Sequence, residues 1–221
     1  MPCSTSISPQ PKAALWDSVR AFIEQQQRDA PWVLGLTLLG LSKRLRLPEE
    51  SLCASLAAFV ESGQLEHRRG YYAMPGFNPE LTEPQRAFFD AAVSPDPRSS
   101  HLPISFDRLA TEMRFARIAG LHHAFESLLA TGAFIQVGRD LYRAGQIQAI
   151  RRLLETALQD ADGITPAQFR DLIGTSRKYA LPLLEWFDTE NVTIRDGDVR
   201  KLGAGGMRDD SRGERRVPEI V

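Results

Sequence analysis

Leu184-Glu-Trp-Phe-Asp-Thr-Glu-Asn191-Val-Thr-Ile-Arg-Asp-Gly-Asp-Val-Arg-Lys-Leu202 is the third statement of a pattern that the chain has already used twice. The first statement is Leu56-Ala-Ala-Phe-Val-Glu-Ser-Gly63-Gln-Leu-Glu-His-Arg-Arg-Gly-Tyr-Tyr72. The second is Phe125-Glu-Ser-Leu-Leu-Ala-Thr-Gly132-Ala-Phe-Ile-Gln-Val-Gly-Arg-Asp-Leu-Tyr142. Each is the end of an amphipathic helix, then Gly or Asn, then two short strands joined at a glycine. Gly63, Gly132 and Asn191 suit the left-handed conformation that ends a helix. Gly70, Gly138 and Gly197 stand where a tight hairpin must turn. The helix ends at 63, 132 and 191 are 69 and 59 residues apart. A repeat of that length, closed each time by a hairpin, predicts tandem small domains.

Upstream of each hairpin the chain predicts three helices. Before the first they are Ala13 to Gln27, about Leu38 to Leu45, and one entering at Pro48, with Glu49 and Glu50 favouring its positive end. Before the second they are Glu83 to Ala92, Phe106 to Met113 and about Ile118 to Ala130. Before the third they are Gln146 to Gln159, Pro166 to Ile173 and about Arg177 to Phe187. Thr165-Pro166 reads as an N-cap followed by proline at the first helical position. Leu52, Leu56, Phe59 and Val60, and later Leu183, Leu184 and Phe187, keep helical core spacing. Trp16, Trp32 and Trp186 read as packing residues.

Three helices and a hairpin in about 60 residues is the winged-helix arrangement, a helix-turn-helix followed by a wing. The predicted fold is mainly α with small β-hairpins (α+β), in three tandem winged-helix domains. They span residues 12–76, 77–145 and 146–203, between disordered tails at 1–11 and 204–221. Pro75-Gly-Phe-Asn-Pro79 makes a short first joint, and the second hairpin runs almost directly into the next helix. Units this small are marginal alone and gain stability from shared interfaces.

Composition bounds the function. The 221 residues carry 27 Lys+Arg against 28 Asp+Glu, a formal net charge of −1. That excludes a polycation, so any nucleic-acid contact must come from a local patch. Apolar residues are 43% of the chain, enough for folded cores and too many for wholesale disorder. The two cysteines, Cys3 and Cys53, show no pairing pattern, and Cys53 is expected as a buried thiol in a reducing, cytoplasmic compartment. No secretory signal and no membrane span is visible. No phosphate-binding loop is present, and His67, His101, His122 and His123 lack metal spacing. No nucleophile constellation occurs. The expectation is a chain without enzymatic activity, cofactor or metal.

The strongest candidate binding sequence is Gly174-Thr-Ser-Arg-Lys-Tyr179. Ser176 is placed to cap a helix whose first turn holds Arg177, Lys178 and Tyr179. Backbone donors and cations at one helix start favour phosphate, and Tyr179 offers a ring for stacking. Pro182 cannot donate to the carbonyl of Lys178, so the helix either bends there or begins nearer to it. Arg195, Arg200 and Lys201 flank the wing turn, and Arg170 lies on the preceding helix. Strand alternation sends the wing side chains to two faces, so they cannot all reach one ligand. The opposing reading makes these residues ordinary solvated charges. Lys43, Arg44, Arg46, Arg68 and Arg69 read as a solvated face, and Arg114, Arg117 and Arg139 as a possible extension of a binding track.

Gly174-Thr-Ser-Arg-Lys-Tyr-Ala-Leu-Pro-Leu-Leu-Glu-Trp-Phe-Asp188, with Thr193-Ile-Arg195, Gly197-Asp198 and Arg200, resembles the C-terminal module of bacterial selenocysteine-specific elongation factors. The joint Pro75-Gly-Phe77, with Leu81 and Gln85, is also similar to that family's linker. The resemblance covers residues 12–203 in layout and is specific over 174–200. It implies that the last module binds a selenocysteine insertion hairpin in mRNA and so supports decoding of UGA. It places Arg177, Lys178, Tyr179, Arg195, Arg200 and Lys201 at or beside the RNA, and the reading of the helix-turn-helix adds Arg170 and Ser176 to the RNA-binding candidates. The ribosome and a GTPase domain become implied partners, with the chain itself a monomer away from membranes. The family's GTPase half is missing from this sequence, and three modules stand where bacterial members commonly have four, so binding of GTP and tRNA is not carried over. Two other readings remain open from the residues: a DNA-binding winged-helix regulator, and a protein-interaction scaffold.

Overall fold

The computed structural model describes residues 9–92 and 101–205. They are mostly helical, with small antiparallel sheets, and group into two compact units interleaved in sequence. Unit 1 comprises Met1–Gln85 with Ala119–Thr131, and unit 2 comprises Arg86–Ile118 with Gly132–Val221.

Unit 1 opens with α1 (Pro9–Asp29), β1 (Leu36–Thr37), α2 (Leu38–Leu45) and α3 (Glu49–Glu61). Thr37 caps α2, its hydroxyl accepting from the Gly40 amide at 3.1 Å. Pro48 stands just before α3, whose first turn holds Glu49 and Glu50 as expected. Gly63 then takes φ +74° and the chain enters β2 (Glu66–Arg68) and β3 (Tyr71–Ala73). Arg69 and Gly70 both take positive φ, which gives a turn twisted to match the strands. Leu41, Leu52 and Leu56 are fully buried and pack with Val19, Ile23 and Phe59 from three helices. Trp16 packs on Phe59, ring centroids 5.1 Å apart. Cys53 is exposed, contrary to expectation. Leu52 and Leu56 point inward, and Cys53 is rotated about 100° from Leu52 around the axis.

Unit 1 also holds α6 (Leu121–Thr131). The Ser127 hydroxyl accepts from the Leu34 amide at 2.9 Å, buried. The Arg69 guanidinium donates to the Leu129 carbonyl at 3.2 Å, and the Tyr71 hydroxyl to Glu126 at 3.2 Å. Gly120, at φ +69°, lies directly against the Trp32 indole, and a Cβ there would sit 2.2 Å from Nε1.

Unit 2 begins with α4 (Glu83–Ala92), which straddles the boundary, then β4 (Ile104–Ser105) and α5 (Phe106–Phe115). It continues through β5 (Phe134–Val137), β6 (Asp140–Arg143), α7 (Ala144–Gln159), α8 (Pro166–Leu172), α9 (Arg177–Thr189), β7 (Thr193–Asp196) and β8 (Val199–Leu202). Gly132, Gly138, Asn191 and Gly197 all take positive φ, as their places in the repeat require. The β5–β6 hairpin does not pack by itself. Val137 and Tyr142 are buried in one cluster with Ile150 and Leu154 of α7, Phe169 of α8, and Leu183, Leu184 and Phe187 of α9.

Two short strands escape the sequence pattern. β1 and β4 each add a third strand beside a hairpin, in the orders β1-β3-β2 and β4-β6-β5. The third hairpin keeps two strands, and in place of a third an isolated bridge joins Ile164 to Arg200. The predicted tails lie mostly outside the described residues, as does Cys3. Where they are described they belong to the fold: α1 starts at Pro9, and Gly205 donates to the Asn191 carbonyl at 2.9 Å. The Gly205 carbonyl in turn accepts from Arg151 at 2.8 Å.

Gly120→Ala combines left-handed strain with a clash against a packed indole. It should destabilise unit 1 by about 2–4 kcal/mol, read as a lower denaturation midpoint by tryptophan fluorescence. An unchanged midpoint would contradict the Trp32–Gly120 packing.

Candidate nucleic-acid interface

The helix-turn-helix of residues 165–189 is built by local bonds. Thr165 and Gln168 form a reciprocal capping box: the Thr165 hydroxyl accepts from the Gln168 amide at 3.3 Å, and the Gln168 side chain accepts from the Thr165 amide at 2.8 Å. Gly174 takes φ +62°, and the Thr175 amide donates to the Arg170 carbonyl at 3.1 Å, closing α8. Ser176 has extended dihedrals and is the N-cap residue of α9 as expected. Its side chain makes no capping bond, and its carbonyl accepts from Tyr179 and Ala180, each at 3.0 Å. The helix starts at Arg177 and runs on through Pro182 to Thr189.

Four of the candidate residues converge. Arg170 of α8, Arg177 of α9, and Arg195 and Arg200 of the wing line one cleft of about 520 Å³. Arg195 and Arg200 are cross-strand partners in the β7–β8 ladder, so both point to the same face. Thr165, Leu181, Glu185 and Asp198 complete much of the wall. Four guanidinium groups and two carboxylates line the cleft, and since Asp188 pairs with Arg200 and Asp171 with Arg170, the cations left for a ligand are Arg177 and Arg195. Glu185 was not singled out from the sequence, although it lies two helical turns from Arg177, the spacing that shares a face.

Arg200 differs from the exposed wing cation expected. Its side chain is only 2% exposed, and its Nε stands 3.4 Å from Oδ2 of Asp188. The other carboxylate oxygen of Asp188 accepts from the Thr193 hydroxyl at 2.6 Å. The backbone of Arg200 exchanges two hydrogen bonds with Ile164, each 2.9 Å. Arg200 therefore forms the floor of the cleft and ties wing, α9 and the entry to α8 together. Asp188 and Thr193 are members of this network that pattern reading did not find, because neither residue type nor spacing marks a buried ion pair.

The remaining candidates lie elsewhere. Lys201 pairs with Ile194 in the ladder, on the opposite face from Arg200. Its ammonium contacts Asp196 at 3.0 Å, which holds its pKa above the usual lysine value. Lys178 and Tyr179 turn toward the β5–β6 hairpin. Lys178 stands over the Tyr179 ring, 5.0 Å from its centroid. Burial raises the Asp140 carboxyl pKa, and the Lys178 charge partly opposes that rise. Burial likewise pushes the Tyr142 phenol far up, with smaller contributions from Asp140 and Tyr179. Arg170 is partly engaged by Asp171 at 2.6 Å, whereas Arg177 and Arg195 are exposed.

Comparison with known proteins falls on the same segment. Residues 156–202 match the family described as "Elongation factor SelB, winged helix". The resemblance to the SelB C-terminal winged-helix region is borne out. A selenocysteine-specific elongation factor of Desulfomicrobium baculatum is 33% identical over 79 residues, 35% of this chain and 12% of that protein. The selenocysteine-specific elongation factor of Escherichia coli is 27% identical over 200 residues, 87% of this chain and 31% of that protein. This chain thus spans less than a third of either relative. The crystal structure of bacterial selenocysteine-specific elongation factor EF-Sec shares the fold at TM-score 0.56 and 14% identity, over 88% of this chain and 30% of that one. The SelB-matched segment contains the whole arginine cleft and the Asp188–Arg200 pair.

Two outcomes test this geometry. Asp188→Ala strands the buried Arg200 and should cost about 3 kcal/mol of stability, measured by denaturant unfolding. A change within 0.5 kcal/mol would contradict the pairing. Lys178→Ala removes the charge that opposes burial at Asp140, so the Asp140 pKa should rise further. The carboxyl carbon shift of Asp140 followed against pH reads this, and an unmoved titration would place Lys178 elsewhere.

Proposed function

We propose that the chain is the RNA-binding part of a selenocysteine-specific elongation factor. On this reading it has three winged-helix modules at 12–76, 77–145 and 146–203, and the last recognises the selenocysteine insertion hairpin of an mRNA. The observation that carries the reading is the coincidence of the SelB match, residues 156–202, with the arginine-lined cleft. Arg177 of α9 and Arg195 of the wing both line the cleft and are exposed, with planar donor forks that suit phosphate oxygens. Arg200, anchored from below, holds Arg195 on the cleft side of the wing. Phosphate contacts of this kind set register and release counterions, and hydrogen bonds to splayed-out bases add sequence choice.

The middle module fits this reading as a connector. Its third helix, α6, is bonded into unit 1 through Ser127, Glu126 and Leu129, which leaves that helix poorly placed to enter a groove. The same feature weighs against a DNA-reading array, in which each third helix would be free. A GTPase and the ribosome are the partners this role requires. The chain acts without catalysis of its own, as a cytoplasmic monomer, and delivers position rather than chemistry.

Titration of the hairpin just downstream of an in-frame UGA, beside a scrambled hairpin and a DNA duplex, tests the proposal. Arg177→Ala and Arg195→Ala should each weaken hairpin binding about tenfold. Each should also reduce the slope of log affinity against log salt by nearly 1. Equal affinity for all three nucleic acids, or variants with an unchanged salt slope, would overturn it.

A further inference from the structure

Unit 1 contains a second cleft, of about 440 Å³, lined by none of the residues proposed for RNA. Its walls include Trp32, Tyr71, His123 and Glu126, with Gln26 and the backbone at Gly120. This size falls within the usual range for small-ligand sites. Among the described residues that line it, Glu126 is the one with a formal charge at neutral pH, and no lysine or arginine is present. Its charge is therefore opposite to that of the arginines lining the cleft of unit 2.

Its parts are held before any ligand arrives. Gly120 leaves no room for a side chain against the Trp32 indole, which fixes the ring in place. The Tyr71 hydroxyl donates to one oxygen of Glu126 at 3.2 Å, which orients the carboxylate. Burial and the nearby Glu126 charge both raise the Tyr71 pKa, so the phenol stays a donor throughout the neutral range. An oriented carboxylate beside tryptophan and tyrosine rings is a receptor for a planar cation. The carboxylate accepts its N–H groups and the ring faces attract its charge.

We infer that this cleft binds the guanidinium of an arginine side chain from a basic protein segment. Charge complementarity selects this occupant. A phosphate-bearing ligand would meet the Glu126 carboxylate, while the nearby Arg44 guanidinium is already committed to the Gln26 side chain and the Phe22 carbonyl, and a neutral apolar segment would leave the Glu126 oxygen without gain. Arginine suits the site better than lysine, because a flat guanidinium can lie on an indole while its edge faces the carboxylate. The inference is independent of the RNA reading, since it uses no residue of unit 2.

The test uses the full chain labelled with 15N and N-acetyl-arginine amide as probe. The Trp32 indole N–H signal, assigned by its loss in Trp32→Phe, should shift saturably with the probe. N-acetyl-citrulline amide, the neutral near-isostere, should leave it in place. Glu126→Gln retains an oxygen for the Tyr71 hydroxyl and should weaken the arginine probe at least tenfold without changing the melting temperature. Equal shifts with citrulline, no shift with arginine, or undiminished binding by Glu126→Gln would each overturn the inference. A saturable Trp32 shift with a mononucleotide in place of arginine would also overturn it and mark the cleft as a base site. None of these outcomes depends on whether the hairpin RNA binds unit 2.

Discussion

A guanidinium removed from water must keep an anion beside it, and Arg200 obeys that constraint through Asp188. The pair joins the last turn of α9 to the second strand of the wing. Thr193 occupies the other oxygen of the same carboxylate, and Ile164 holds the Arg200 backbone. One ionic contact thus fixes the angle between the helix-turn-helix and its wing. The cleft that Arg177 of α9 and Arg195 of the wing both line depends on that angle. Replacing the pair by apolar residues could preserve stability, but it would remove the floor charge of the cleft.

Charge is distributed in this chain so that a net of −1 conceals two opposite sites. The cleft of unit 2 gathers four arginines, whereas that of unit 1 presents one carboxylate amid aromatic rings. Each site is read locally, because screening at physiological salt limits exposed charges to about 8 Å. A near-neutral chain can therefore hold a polyanion at one place and a basic side chain at another. The hydrophobic cores serve this division. In unit 2 the β5–β6 hairpin shares its buried cluster with α7, α8 and α9, so the module bearing the arginine cleft rests on a broad base.

Much of the architecture was legible in the residues. Glycine or asparagine at 63, 132 and 191 marked the helix ends, and glycine at 70, 138 and 197 marked the hairpin turns, because these backbones need positive φ. Helices α2 and α4 fell on their expected bounds, and Thr165 capped α8. The strands β1 and β4 were not legible, since two residues are too few to show alternation. Cys53 was misplaced because it lies inside an apolar run yet outside the buried stripe of α3. Within the candidate site, Arg170, Arg177 and Arg195 were legible as cations on the right elements. Lys178 and Tyr179 could not share the face of Arg177, since successive helical residues are about 100° apart. Burial of Arg200 was invisible, because a sequence does not state which wing face meets the helix that precedes it.

The most direct measurement of the central claim is the arginine side-chain Nε–H spectrum of the protein during addition of the hairpin RNA. The account predicts that the signals of Arg177, Arg195 and Arg170 shift together and saturate at one stoichiometry. Arg200 should respond with them as the floor of the same cleft, while Arg44 and Arg46 of unit 1 stay in place. Saturable shifts at Arg44 and Arg46 with an unmoved Arg177 and Arg195 would contradict the account and transfer RNA binding to the other unit.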